Sequence, residues 1–224
     1  IAAEALVRWR LEDGTYLPPS SFVDIFEKNL FCSKLDFYML KKAIQQIRKW
    51  IDMGINPVNI SVNQSKIVFY HENYISELKS LLEEYNVSGS YITLEVLEST
   101  VIEDIDIFNS ILTEVKKLGF SVSLDDFGSG YSSLNVLSKL QIDELKIDRI
   151  FLHTKSEVDN QRTKWILESI IDIAKKSQIL VVVEGVESKQ DDLFIKNLGA
   201  DVGQGYFYGR PLSISAFNDL IETK

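Results

Sequence analysis

Short runs of aliphatic and β-branched residues alternate with longer segments in which apolar positions recur every three or four residues. The short runs predict strands at about 2–9, 56–63, 92–98, 120–126, 144–149, 180–185 and 201–206. Several have few polar positions, the pattern of strands covered on both faces. The longer segments predict amphipathic helices. Over Lys34–Ile51, the residues Leu35, Phe37, Leu40, Ala43, Ile44 and Ile47 form one stripe, and Gly54 supplies a stop. Helices over Ile107–Leu118 and Trp165–Ser177 carry lysines in the last turn, where cations suit the helix dipole. Gly119 ends the first of these, and Gly199 ends a further helix over Leu193–Leu198.

Strand-then-helix repetition implies a parallel sheet, either open and doubly wound or closed into a barrel. The polar positions separate the two. Most of the predicted strands end in a charged or amide residue. In a barrel such ends surround one site, whereas in an open sheet only strands beside the switch point would share it. The expectation is therefore a TIM-like β/α barrel. At 224 residues the chain is slightly short for one, since a β/α barrel typically takes about 250 residues. Ile1–Trp9 reads as a strand with no lead-in, so residues are expected upstream of Ile1.

Composition narrows the chemistry. A formal net charge of −9 argues against sequence-independent binding of DNA or RNA, which needs lysine and arginine stripes. A small anion remains acceptable if cations line its pocket. Cys32 is the single cysteine, which excludes an internal disulfide framework and a cysteine-based zinc site. It reads as a reduced, partly buried thiol of a cytoplasmic protein. The longest apolar run, Ile179–Val183, is too short to span a bilayer, although a longer parent protein could be membrane-tethered. Trp9, Trp50 and Trp165 read as packing residues, and His71 and His153 as bystanders.

Glu4, Asn63, Glu95, Asp125, Asp126 and Glu184 lie in or at the ends of strands that otherwise read as core. One strand-end carboxylate is more often a cap or a solvated loop residue. Five of them on four strands imply mutual repulsion unless cations compensate. Oxygen donors without a histidine or cysteine cluster point to Mg²⁺ or Mn²⁺. Asp125 and Asp126 are neighbours, and strand neighbours face opposite sides. Both can serve one site if the strand ends there and turns through Phe127-Gly128-Ser129-Gly130. The alternative is that the pair caps a helix over Tyr131–Leu140.

Lys146 sits mid-strand, where an ammonium needs a counter-charge. Asp148, two residues on, shares its face, so a Lys146–Asp148 pair is expected. Lys146 would orient the attacking water or balance phosphate charge; a purely structural pair is the alternative. Arg8 shares strand parity with Glu4 and Leu6 and could reach a phosphate with its planar fork, or lie on the surface. Gln204 and Pro211 flank the last strand and could shape a base or sugar pocket. The same constellation would suit a barrel enzyme abstracting protons beside a carboxylate, with Lys146 as base. Arg8 and the aspartate pair fit a phosphodiester better.

These motifs resemble the EAL domain family of cyclic di-GMP phosphodiesterases. The signature reads Glu4-Ala5-Leu6, continuing Val7-Arg8-Trp9. Asn63 stands in Ser61-Val62-Asn63-Gln64-Ser65, and Glu95 and Glu98 are spaced as the family's pair is. Asp125-Asp126-Phe127-Gly128-Ser129-Gly130-Tyr131-Ser132-Ser133-Leu134 matches its double-aspartate motif, with Ser129 where threonine is usual. Lys146-Ile147-Asp148, Glu184-Gly185-Val186-Glu187 and Gln204-Gly205-Tyr206 complete the set. Leu97 departs from the usual threonine.

The resemblance implies a barrel whose first strand runs antiparallel to the rest. That strand, with a ligand-contacting Gln-Pro pair, is expected upstream of residues 1–224, which read as one N-terminally incomplete EAL domain. It implies one ion on Glu4, Asn63, Glu95 and Asp125, and a second on Asp125 and Asp126, with Glu184 nearby through water. Lys146 would assist that water, alongside Glu184 and Glu4. Leu6, Arg8, Asp148, Gln204 and Pro211 would contact substrate. Glu98 and Glu187 would support loops. The implied activity is hydrolysis of cyclic di-GMP to the linear dinucleotide pGpG. The alternative is a silent receptor for the same ligand. Implied partners are cyclic di-GMP, an upstream sensor or cyclase domain, and a second copy in a homodimer.

Overall fold

The structure is a computed structural model that describes residues 2–29, 31–98, 105–129, 134–152 and 157–222. They form two compact units, Ile1–Val122 and Ser123–Lys224.

In the first unit, β1 (Ala2–Glu4) pairs in parallel with β4 (Asn59–Gln64), and β4 with β5 (Ile92–Leu97). Between β1 and β4 lie a short antiparallel hairpin, β2 (Trp9–Arg10) with β3 (Tyr16–Leu17), and the helices α1 (Val23–Lys28) and α2 (Cys32–Asp52). After β4 come α3 (Lys66–Phe69) and α4 (Tyr74–Tyr85), and after β5 comes α5 (Ile105–Lys117).

The expected stripe on α2 packs against β4 and α4. Leu40, Ala43, Ile44 and Ile47 are buried, and Trp50 extends the stripe by one position. Their spacing is that of one helix face, and each large aliphatic side chain so buried contributes about 1.5–3 kcal/mol. Gly54, in the left-handed region at φ 74°, follows the helix as expected. Val62, Leu94 and Val96 supply the sheet side of this core.

The second unit is a parallel sheet in the order β6, β7, β8, β9: Ser121–Phe127, Glu144–Ile147, Leu180–Val183 and Val202–Gly203. The helices are α6 (Leu134–Lys139), α7 (Glu157–Lys176), α8 (Lys189–Leu198) and α9 (Ile214–Glu222). Leu124, Leu145, Ile147, Val181 and Val183 are fully buried, which accounts for the near-continuous apolar runs in these strands. Ser188 and Asp191 form a reciprocal capping box that starts α8, and Gly199 closes it at φ 88°.

Two expectations need correction. The strand expected over 2–9 stops at Glu4. Its last ladder bond runs from Ala5 N–H to Ser61 O at 2.8 Å. The chain then leaves, and Trp9–Arg10 joins the hairpin instead. Asp13-Gly14 is the turn signal that diverts it: Asp13 accepts from the Thr15 backbone and hydroxyl, and Gly14 takes φ 86°. Arg8 therefore does not share a strand face with Glu4. Trp50 is a core residue as expected. Trp9 is 44% exposed, held edge-on to Phe22, and Trp165 is 59% exposed. Trp165 lies on the side of α7 opposite Leu167, Ile171 and Ala174, which face inward. The helix expected from Tyr131 begins, within the described residues, at Leu134, and His153 lies outside them. Among the described residues no helix is long and apolar enough to cross a membrane.

Candidate functional site

In the second unit, three carboxylates and one ammonium meet where β6, β7 and β8 end. Leu124 pairs with Leu145 and Phe127 with Ile147, so Asp125 and Asp126 together face the single residue Lys146. Two residues against one is a β-bulge, which bends a strand and re-aims its side chains. Asp126 takes φ 56° to accommodate it, a region that aspartate tolerates better than most residues. Asp126 N–H donates to Asp125 Oδ1 at 2.9 Å, which ties the two residues together. The adjacent aspartates thus serve one site through a bulge inside the strand, not through the strand ending there.

Val182 pairs with Lys146 in the regular β7–β8 ladder, and Glu184, two residues on, shares its face. Glu184 N–H donates to Ile147 O at 3.0 Å. Lys146 Nζ stands 2.7 Å from Glu184 Oε1 and 3.3 Å from Asp125 Oδ1. Its side chain is 2% exposed, so these charge-assisted contacts compensate an otherwise costly burial. The expected partner Asp148 is used elsewhere: it accepts from Ile150 N–H at 2.7 Å and starts a short 3-10 turn, Arg149–Phe151. Gly185 follows Glu184 at φ 72°, and a Cβ there would fall 2.2 Å from Arg149 Cβ. The turn that presents Glu184 therefore requires glycine.

One oxygen from each of Asp125, Asp126 and Glu184 can be chosen so that all lie within 4.8 Å of one another. With Lys146 beside two of them, the group keeps a formal excess of two negative charges. Clustered hard oxygen donors with that excess fit a divalent cation such as Mg²⁺ or Mn²⁺.

In the first unit a second set of donors forms on an unbroken ladder. Glu4 pairs with Ser61, and Asn63 pairs with Glu95. Asn63 is two residues from Ser61, so Glu4, Asn63 and Glu95 share one sheet face. Asn63 Nδ2 donates to Glu4 Oε1 at 3.1 Å. Glu95 is buried at 1% exposure, and Asn63 is exposed. This set also consists of oxygen donors suited to a hard cation.

The other expected site residues are less engaged. Leu6 is 42% exposed. Arg8 is exposed and donates to Val7 O at 2.7 Å. Gln204 is fixed by its backbone, receiving Val186 N–H and donating to Val183 O, and Pro211 is exposed. Glu98 is buried at the edge of the described residues. Glu187 donates its N–H to Asp191 Oδ2 at 3.1 Å. His71 lies 3.7 Å from Glu77, away from both donor sets in the chain, and burial pushes the Cys32 thiol up to about 11, so it is held as the unreactive thiol.

Two acids escape the sequence reading. Burial raises the Glu144 carboxyl, which shares the face of Lys146. Asp36, within α2, is buried and accepts from both N–H and Oγ of Ser65. An aspartate on the apolar stripe itself, one turn before Leu40, is the available signal for Asp36.

Residues 1–211 match the EAL domain family. The chain is 34% identical over 212 residues to the bifunctional diguanylate cyclase/cyclic di-GMP phosphodiesterase MucR of Pseudomonas aeruginosa, covering 95% of the chain and 31% of that protein. It is 32% identical to the cyclic di-GMP phosphodiesterase PdeR of Escherichia coli, covering 96% of the chain and 32% of that protein. The chain thus spans about a third of the length of these relatives. Among solved structures, the c-di-GMP complex of the PaMucR phosphodiesterase superposes with a TM-score of 0.86 at 33% identity, covering 96% of this chain and 86% of that one.

Proposed function

The chain belongs to the EAL domain family, with its TIM-like α/β fold class, and from that premise we propose that it hydrolyses one phosphodiester of cyclic di-GMP to give pGpG. The observation that carries this reading is the buried Lys146 ammonium, held 2.7 Å from Glu184 and 3.3 Å from Asp125 within a three-carboxylate cluster. That is a device for placing a water and managing its proton. The relatives named as cyclic di-GMP phosphodiesterases support the choice of substrate.

Asp125, Asp126 and Glu184 hold one cation, and Glu4, Asn63 and Glu95 supply donors for another; Mg²⁺ or Mn²⁺ fits both sets. When bound, such ions supply Lewis-acid polarisation of a phosphate oxygen and a nucleophilic water at neutral pH. The chain's own residues do the rest. Lys146 Nζ donates to the attacking water and orients its lone pair toward phosphorus. Glu184 Oε1, already accepting from Lys146, receives the water's proton as the new P–O bond forms; the bond from phosphorus to one ribose 3′ oxygen breaks, and that oxygen takes a proton from solvent to become the 3′-hydroxyl of pGpG. Glu4 positions the phosphate-side donors through its bond to Asn63. The EAL resemblance supports substrate contacts at Leu6 and Arg8 in the first unit and at Asp148, Gln204 and Pro211 in the second. Glu98 and Glu187 steady the loops beside the donors. The domain serves signal transduction in the cytoplasm, under an upstream sensor or cyclase domain and as a homodimer.

Calorimetry with cyclic di-GMP and Ca²⁺ measures binding, and chromatography after incubation with Mn²⁺ measures turnover. The expected result is binding in the first and pGpG in the second. Tight binding with no product would make the chain a receptor.

A further inference from the structure

Asn63 is exposed at the end of β4, but the residues that fix it are buried behind the sheet. Gln64, 4% exposed, alternates to the opposite face, as strand parity requires. Its Nε2 donates to the Asn63 carbonyl at 2.9 Å, and its Oε1 accepts from Tyr74 Oη at 3.1 Å. Tyr74, at the start of α4, is 1% exposed. Ser65, the next residue, gives its N–H to Asp36 Oδ2 at 3.0 Å and its hydroxyl to the same oxygen. Asp36 is 8% exposed on α2. Two helices therefore hold three consecutive residues through side chains, beyond the end of β1, where β4 is laddered to β5 alone and only as far as Gln64.

Burying a carboxylate and a phenol inside an interface otherwise lined by aliphatic and aromatic side chains is costly for stability alone. Apolar residues of similar shape would pack there without desolvating a charge. What these groups provide is direction. A strand end laddered on one side only is held less firmly against rotation, and the Asn63 amide would swing with it. With its carbonyl held by Gln64 and the following residue held by Asp36, the amide keeps its 3.1 Å bond to Glu4 Oε1. We propose that Asp36 and Tyr74 are positioning residues, a buried polar strut that aims Asn63 at the cation held with Glu4 and Glu95. This inference rests on the cation role proposed above for Asn63. Polar groups that orient metal ligands in this way commonly govern affinity by about 10–100-fold when removed.

The test is titration of the purified chain with Mn²⁺, followed by calorimetry, with NMR of the Asn63 side-chain amide in the metal-free protein. Asp36→Ala is expected to weaken Mn²⁺ affinity by about tenfold and to shift the Asn63 amide signals. Asp36→Asn keeps an acceptor for Ser65 N–H and is expected to restore most of both. Tyr74→Phe, which keeps the ring, is expected to weaken affinity by about threefold. If Asp36→Ala fails to fold, Asp36→Asn and Tyr74→Phe still carry the test. A merely structural strut would lower thermal stability and leave the amide signals and the affinity unchanged; that result overturns the inference while leaving the phosphodiesterase reading intact. Absence of Mn²⁺ binding by the wild type overturns the cation reading, and this inference with it.

Discussion

The two sets of oxygen donors are built in opposite ways. Glu4, Asn63 and Glu95 stand on an unbroken parallel ladder, and simple alternation brings them to one face. Asp125, Asp126, Lys146 and Glu184 stand where the β6–β7 ladder skips a residue and a non-glycine backbone enters the left-handed region. A regular ladder sets direction cheaply, but it offers only every second side chain. The bulge brings two adjacent carboxylates to one site, at a cost of about 1–2 kcal/mol for the left-handed residue. The contacts of Asp125 and Lys146 offset that cost. The first set should therefore tolerate substitution without loss of fold, whereas the second couples function to local structure.

Lys146→Ala breaks this contrast most severely. Asp125 and Glu184 lose a shared buried cation, so turnover is expected to fall by at least about a hundredfold. Thermal stability should fall with it, because like charges remain buried without their counter-ion. Kinetics and calorimetric unfolding of the same preparation check both. Gly185→Ala comes next. Its Cβ would meet Arg149 Cβ at 2.2 Å and φ is 72°, so denaturant unfolding should reveal a loss of about 1–2 kcal/mol or more, with Glu184 displaced and turnover reduced. Glu4→Gln sharpens the comparison from the other side. Apparent Mn²⁺ affinity is expected to fall by about tenfold or more, while unfolding shifts by no more than about 0.5 kcal/mol.

The effect of smallest consequence for turnover is a pH dependence of stability. Burial pushes the Asp36 carboxyl up to about 6, above its unfolded value of about 3.9, with hydrogen bonds from Ser65 opposing and Glu27 adding to the rise. Between those values the folded chain keeps a proton that the unfolded chain has released. This contribution to stability is therefore complete below about pH 4, is lost as pH rises toward 6, and is flat beyond. At about 1.4 kcal/mol per pH unit, the change amounts to roughly 3 kcal/mol. Subtracting the pH profile of Asp36→Asn from that of the wild type isolates it; an identical profile in both would rule it out.

The ladder-built set was legible in the sequence because alternation is itself a sequence pattern. Glu4, Asn63 and Glu95 were found by their place in apolar runs, and the α2 stripe and the stops at Gly54 and Gly199 by helical spacing. The bulge was not legible. Alternation assigns Asp125 and Asp126 to opposite faces, and the strand appeared to need an end where it has a skipped pairing. The Lys146–Asp148 pair was misread for the same reason: same-strand parity is visible along the chain, whereas the nearer partners Asp125 and Glu184 come from neighbouring strands. Arg8 departs from the strand face of Glu4 because the Asp13-Gly14 turn draws Trp9 into a hairpin, a local turn signal that outweighs strand propensity. Asp36 lies on the stripe itself, one turn before Leu40, so helical spacing makes its burial legible; its partner Ser65, on another element, is not visible along the chain.

Turnover of cyclic di-GMP in Mn²⁺ by the wild type, Lys146→Ala and Glu4→Gln tests the central claim most directly, since it draws on both donor sets at once. The linear dinucleotide should accumulate with the wild type, and both variants should be slowed at least about a hundredfold. A wild type that leaves cyclic di-GMP intact, or either variant turning over as fast as the wild type, would contradict the account.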